Sequence, residues 1–175
     1  MAKKTNTTIT FQGKVMTGAS FAGQQLRQSN FTYAALRRAD FRGSDLLESD
    51  FTEADLCHAM FRGARIKKAS FFKGFLTQVN LQKVQSKQAN FSSSILKQAS
   101  MEGGNFEGCD FSFADLQFAN VRGSNLAQAN FSGTDLRDVV YNEKTQWPDG
   151  FNPLDHGAIP VEWLPSDPIY EEDKE

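Results

Sequence analysis

From Phe11 to Tyr141 a large apolar residue returns at every fifth position, with no insertion or deletion. Of the 27 positions in this register, only Ser86 is not large and apolar. The residue two before each large one is small. Among the 24 such positions from Ala19 to Thr134, only Gln24, Val79 and Val84 depart from Ala, Ser, Gly, Thr or Cys. The residue just before the large one is Asp or Asn in 14 of the 27 repeats, as at Asn30, Asp40, Asp55 and Asn130. A helix scatters such a repeat, because five residues turn it by ~500°. A flat strand changes face at each step of five. A solenoid fits: each pentapeptide forms one short side with its large and small residues inward, and the chain turns at each corner. Asp and Asn suit corners, since their side chains bond nearby backbone and tolerate unusual dihedrals. Phe and Leu alternate along the register, so like stacks on like only if the coil has an even number of sides.

Stretches such as Ala39-Asp40-Phe41-Arg42-Gly43, Ala54-Asp55-Leu56-Cys57-His58 and Ala129-Asn130-Phe131-Ser132-Gly133 resemble the A(D/N)LXX signature of pentapeptide-repeat proteins. The resemblance covers residues 9–141 and implies an all-β fold, a right-handed quadrilateral β-helix of about seven coils. At ~4.8 Å between stacked strands, the rod is roughly 30 Å tall. Residues twenty apart then stack, placing Phe31, Phe51, Phe71, Phe91, Phe111 and Phe131 in one interior ladder and Leu36, Leu56, Leu76, Leu96, Leu116 and Leu136 in the next. Val79, Val84 and Ser86 depart from the pattern, so local repacking is expected there. Residues 1–8 read as a polar lead segment and residues 142–175 as an irregular capping tail. The run from Tyr141 through Trp147-Pro148-Asp149-Gly150-Phe151-Asn152-Pro153 resembles a tail that follows the repeats in many cyanobacterial members. Its Trp147, Phe151, Ile159, Val161, Trp163 and Leu164 are expected to cover the last coil, and Glu171–Glu175 to fray as an acidic end.

Residues for chemistry are scarce. The two histidines, His58 and His156, lie far apart in sequence, and Cys57 is expected outward and Cys109 inward. No Cys/His spacing suits a metal, no phosphate-binding fingerprint is present, and the Asp residues serve turns first. An enzyme, a cofactor and a metal are therefore not expected. The column Thr32, Thr52, Ser92, Ser112 and Ser132 is interrupted by Phe72, which weakens an ice-binding reading. No apolar run approaches the ~18 residues of a membrane span. The polar start shows no secretory pattern, so a cytoplasmic protein is expected.

The outer positions carry the functional signal. Residues 11–140 hold 15 Lys/Arg against 12 Asp/Glu, whereas residues 141–175 hold 2 against 9. Between Asp55 and Glu102 there is no acid, but there are Arg62, Arg65, Lys67, Lys68, Lys73, Lys83, Lys87 and Lys97, a basic belt about two coils deep. Phe72 and Phe75 stand off the inward register beside Lys73, and Tyr33, Phe113 and Phe118 are off it too. Exposed aromatic residues in a cluster point to an interface. The expected function is a non-enzymatic interaction scaffold for an unidentified, acidic protein partner. Its contact residues would be Phe72, Lys73, Phe75, Arg62, Arg65, Lys67, Lys68 and Lys87. The family also includes DNA-mimicking binders of DNA gyrase and other type II topoisomerases. Such a mimic needs a negative rod, which this slightly positive repeat region is not. A direct nucleic-acid binder is disfavoured by the formal net charge of −2. A monomer or a weak end-to-end dimer is expected.

Overall fold

The computed structural model describes residues 9–161. Each pentapeptide makes one tight turn. The carbonyl of the large residue accepts the N–H three residues on, as in Ala54 N to Phe51 O at 3.0 Å and Ala59 N to Leu56 O at 2.9 Å. The residue two after the large one has φ between 53° and 69° in every repeat from Gly13 to Asp138. That sign of φ is what the third position of a type II turn requires. The residue before the large one pairs in parallel with the residue twenty further on, from Thr10↔Asn30 to Asn120↔Val140. A step of twenty is four pentapeptides, so the coil has four sides.

The sides are numbered by their inward ladders. Side I carries Phe11 to Phe131, side II Met16 to Leu136, side III Phe21 to Tyr141, and side IV Leu26, Leu46, Ile66, Ser86, Phe106 and Leu126. The turn residues form the four edges between sides. Asp and Asn stand on the sides, just before the turns, and not in the corners themselves. Their Oδ1 accepts the N–H of the first turn residue, as in Arg42 N to Asp40 at 3.0 Å and Thr52 N to Asp50 at 2.9 Å. That N–H lies on the outside of the turn, and a short side-chain acceptor satisfies it without disturbing the ladder.

Burial supplies the stability. Side I stacks its Phe rings at centroid distances of 4.6 Å between Phe31 and Phe51, 5.0 Å between Phe51 and Phe71, and 4.8 Å between Phe71 and Phe91. Phe41 and Phe61 of the opposite side III meet Phe51 edge-on, at 5.5 and 5.8 Å. Offset stacking within a ladder and edge-to-face contact across the rod satisfy the ring quadrupoles together. In the upper half, side III changes to Leu81, Met101 and Val121. There Phe106 of side IV supplies the ring, 6.3 Å from Phe91 and 6.0 Å from Phe111.

The irregular stretch keeps its backbone ladder: Ser86 N donates to Asn105 O at 2.9 Å and Gln85 pairs with Asn105. Its volumes are exchanged between neighbouring coils. Val84 and Ser86 invert the small and large positions, and directly above them Gly104 and Phe106 exaggerate them. A Cβ on Gly104 would lie 2.4 Å from Phe106 Cε2, so the glycine makes room for the ring. The Ser86 hydroxyl donates to Asn105 O at 2.7 Å. Restoring the register with Ser86→Leu should therefore destabilise by about 1–3 kcal/mol through overpacking. Adding Phe106→Leu should recover most of the loss, and urea unfolding of the single and double variants checks this.

The C-terminal segment closes the rod. Asn125 pairs with Gln146, a step of 21, so one extra residue enters after Tyr141 and ends the regular register. The buried Asn142 side chain accepts the N–H of Gly123 at 3.0 Å and of Lys144 at 3.2 Å, filling the gap. Trp147 and Phe151 stack on each other at 5.5 Å and cover Phe131 at 5.6 and 5.2 Å. A 3-10 helix, Pro153–His156, is capped by Asn152 and ends at Gly157, whose φ is 80°. The chain then returns beside the last coil: strand β1, Val140–Tyr141, pairs in parallel with β2, Ile159–Pro160. Ile159 is 42% exposed, so its backbone serves the cap and Ala158 is the buried residue instead. The lead segment 1–8, Trp163, Leu164 and the acidic end lie outside the described residues.

Candidate functional site

With four sides fixed, every outward residue has an address. Phe72 and Lys73 are the two turn residues on the edge between sides I and II, and Phe75 is on side II beside them. Lys73 Nζ lies 5.2 Å from the Phe72 ring centroid, a cation–π distance. Phe75 bridges Ile95 above it, so an aromatic and an aliphatic residue are adjacent on side II. Tyr33 and Phe113 stand on the same edge as Lys73, two coils below and two above, and Phe118 stands on the far edge of side II. Tyr33, Phe75, Phe113 and Phe118 are exposed, at 57%, 47%, 72% and 55%, whereas Phe72, expected to stand free, is half-buried. Phe113 and Phe118 occupy turn positions with φ of 58° and 60°, where a bulky residue is conformationally disfavoured. The Phe113 ring leans over Gly133, where a Cβ would meet its Cδ1 at 2.7 Å.

The basic residues gather elsewhere. Arg65 is on side IV, opposite side II, Lys67, Lys68 and Lys87 are on the edge between IV and I, and Arg62 and Lys83 are on the edge between III and IV. Lys97 is apart from them, between II and III, where it pairs with Asp115 at 3.1 Å. The structure thus brings Phe72, Lys73 and Phe75 together on one side, and Arg62, Arg65, Lys67, Lys68 and Lys87 together on or beside the opposite one. Ile95 is the half-buried apolar neighbour of Phe75 that the sequence pattern did not single out. Its signal was available, since it lies twenty residues from Phe75.

Ion pairs follow the same geometry. On side IV, Asp45 is almost fully covered and held between Arg27 at 2.7 Å and Arg65 at 3.2 Å. The hydrogen bond from Arg42 holds the Asp40 carboxyl below the usual aspartate range, and Arg137 holds Asp135 well below it. These pairs therefore stabilise the fold above the ordinary aspartate pKa of about 4, and the contribution is lost as pH falls through the depressed native values. In a carboxyl-observed NMR titration, Asp40 and Asp135 should remain ionised at about pH 4. A normal midpoint for either would mean that its arginine is not held in solution.

Both thiols are passive. Burial, with Asp55 nearby, raises the Cys57 pKa, and burial pushes Cys109 up to about 12. Neither environment favours the thiolate that nucleophilic chemistry uses. Among the described residues, no group of three or more His, Cys, Asp or Glu could hold a metal ion. No helix among them is long and apolar enough to cross a membrane.

Comparison with known proteins agrees with this architecture. The model of the pentapeptide repeat region matches residues 14–91, and that of pentapeptide repeats (8 copies) matches residues 76–108 and 105–140. No curated protein matches the chain in sequence. HetL, a pentapeptide repeat protein involved in heterocyst differentiation regulation in the cyanobacterium Nostoc, is similar in structure. Its TM-score is 0.53 at 17% identity, over 87% of this chain and 87% of HetL. Rfr23, a pentapeptide repeat protein of the cyanobacterium Cyanothece, has a TM-score of 0.53 at 20% identity, over 76% of this chain and 90% of its own. At such identities the likeness concerns the fold. The unbroken five-residue register, the four-sided coil and the matching family models together place this chain in the pentapeptide-repeat family, as a right-handed quadrilateral β-helix.

Proposed function

We propose that the protein is a non-enzymatic interaction scaffold that docks a protein partner on the aromatic side of its rod, through Phe72, Lys73 and Phe75. One observation carries this reading. The interior ladders are complete without Tyr33, Phe72, Phe75, Phe113 and Phe118, yet all five stand on side II or its two edges. Four of them are exposed and Phe72 is half-buried beside them. Large exposed apolar groups contribute little to the fold, and their gathering on one side supports an interface. The passive thiols support a role without covalent chemistry.

The test is affinity capture with the wild type and a Phe72→Ser/Phe75→Ser variant, with circular dichroism establishing that both fold. A partner held by the wild type and lost by the variant is the expected result. Equal retention by both would remove side II from the reading. The gyrase-mimic alternative is separated by a supercoiling assay, in which no inhibition is expected at low micromolar protein. Inhibition there would replace the scaffold reading.

A further inference from the structure

The side opposite the aromatic residues carries a groove of about 270 Å³, lined by Leu47, Arg65, Lys67, Gln85, Lys87 and Asn105. Arg65, Gln85 and Asn105 succeed one another up the middle of side IV, and Leu47, Lys67 and Lys87 do so up its edge with side I. Charge in the groove is only partly cancelled. At its foot Asp45 is shared by Arg27 and Arg65 and buried beneath them, while the Arg65 side chain remains 61% exposed. At its head Lys87 is paired with Glu107 at 2.6 Å. Between them Lys67 makes no ion pair among the described residues. The groove therefore presents three cations and two amide side chains around a partly exposed leucine.

Its ends limit what it can take. On this edge Glu48 stands beside Leu47, one coil below Lys67, and Glu107 above Lys87, so acids flank the cations. The column below Leu47 continues with Arg27, which is paired with Asp45. From the coil of Leu47 to that of Glu107 is three coil steps, ~14 Å at ~4.8 Å per step, about the length of four extended residues. A nucleic-acid duplex would meet the acids at both ends. A small inorganic anion would leave Leu47 uncovered.

We propose that this groove is a second docking site, independent of the aromatic side, for a short extended acidic segment of a protein partner. Carboxylates of the segment meet Arg65, Lys67 and Lys87, and an apolar side chain between them covers Leu47. Facing away from side II, the site stays open when the aromatic side is occupied, so the rod can join two partners.

The experiment uses the full chain and a fluorescein-labelled peptide with a Glu-Leu-Glu-Leu-Glu core, read by anisotropy at low salt. Lys67→Glu/Lys87→Glu should weaken binding at least about tenfold, because it reverses charge at the contact. Lys14→Glu/Arg38→Glu makes the same change in net charge elsewhere and should leave the affinity within about threefold. A core of glutamates alone should bind more weakly than the Glu-Leu core. Phe75→Ser should have no effect, which separates this site from the aromatic one. Should the charge-reversed variant fail to fold, Lys67→Gln/Lys87→Gln gives the same ordering. Equal loss in both charge-reversed variants would reduce the effect to net charge and overturn the proposal. So would absence of peptide binding, preference for the all-glutamate core, or tighter binding of a short DNA duplex or of inorganic phosphate.

Discussion

Phe71→Ala should destabilise the protein by roughly 3–5 kcal/mol, the usual cost of emptying a buried phenylalanine site. Phe71 is fully buried near mid-rod, stacked 5.0 Å from Phe51 and 4.8 Å from Phe91, with Phe61 edge-on at 5.8 Å. Its neighbours are held by hydrogen-bonded ladders on every side, so the cavity has little room to collapse. Because each coil contacts only the coils above and below, the weakened interface also divides the stack. Urea unfolding should then separate into two transitions, where a single one is expected for the parent. Phe11→Ala is the internal comparison. Phe11 is only half-buried in the first coil and should cost much less. Equal losses at the two positions would contradict a core whose burial deepens toward mid-rod.

Glu102→Ala should cost about 2–3 kcal/mol, somewhat below the range for breaking a fully buried ion pair because its arginine is partly solvated. The Glu102 carboxylate, on the edge between sides III and IV, accepts from Arg122 Nη2 at 2.9 Å and Ser100 Oγ at 3.2 Å. It also accepts from Gln82 Nε2 and Asn120 Nδ2. Its side chain is 7% exposed and that of Arg122 19%. Removing the acceptor leaves several covered donors without it, and that penalty outweighs the net value of the bonds. Glu102→Gln keeps one carbonyl and should lose less. A double variant with Arg122→Ala should lose less than the sum of the two single changes, as residues in one network do. Strict additivity in thermal unfolding would mean that the network does not act as a unit.

Much of the fold is legible in the residues. The ladder of Phe31, Phe51 and Phe71 follows from the register, and the outward direction of Phe75 follows from its place one residue before Leu76. Three things are not legible there. The number of sides depends on turn geometry, which the residues one after the large ones do not encode; the resemblance supplied it. The placing of Asp and Asn beside the corners rests on one hydrogen bond to the N–H two residues on, whereas the residue preference fits either location. The exposure of Ile159 arises because it pairs with Val140, nineteen residues back and on an outward position, a register that the five-residue repeat does not continue into. The candidate site was half visible. Phe72, Lys73 and Phe75 are neighbours in sequence and in space, but the separation of the lysines from them appears only when the coil length is known.

The constant step of twenty residues makes each side a matter of phase. Excising twenty residues from the rod shortens it by one storey and leaves every remaining group facing as before. Excising five rotates everything that follows by a quarter turn. Phe113 and Phe118 would then swing away from the direction of Phe75, although each pentapeptide would be locally sound. Lineages of such a chain can therefore gain or lose length freely only in whole storeys. A smaller change would keep each turn sound but set unlike residues on one another inside the rod and scramble the compass of its surface.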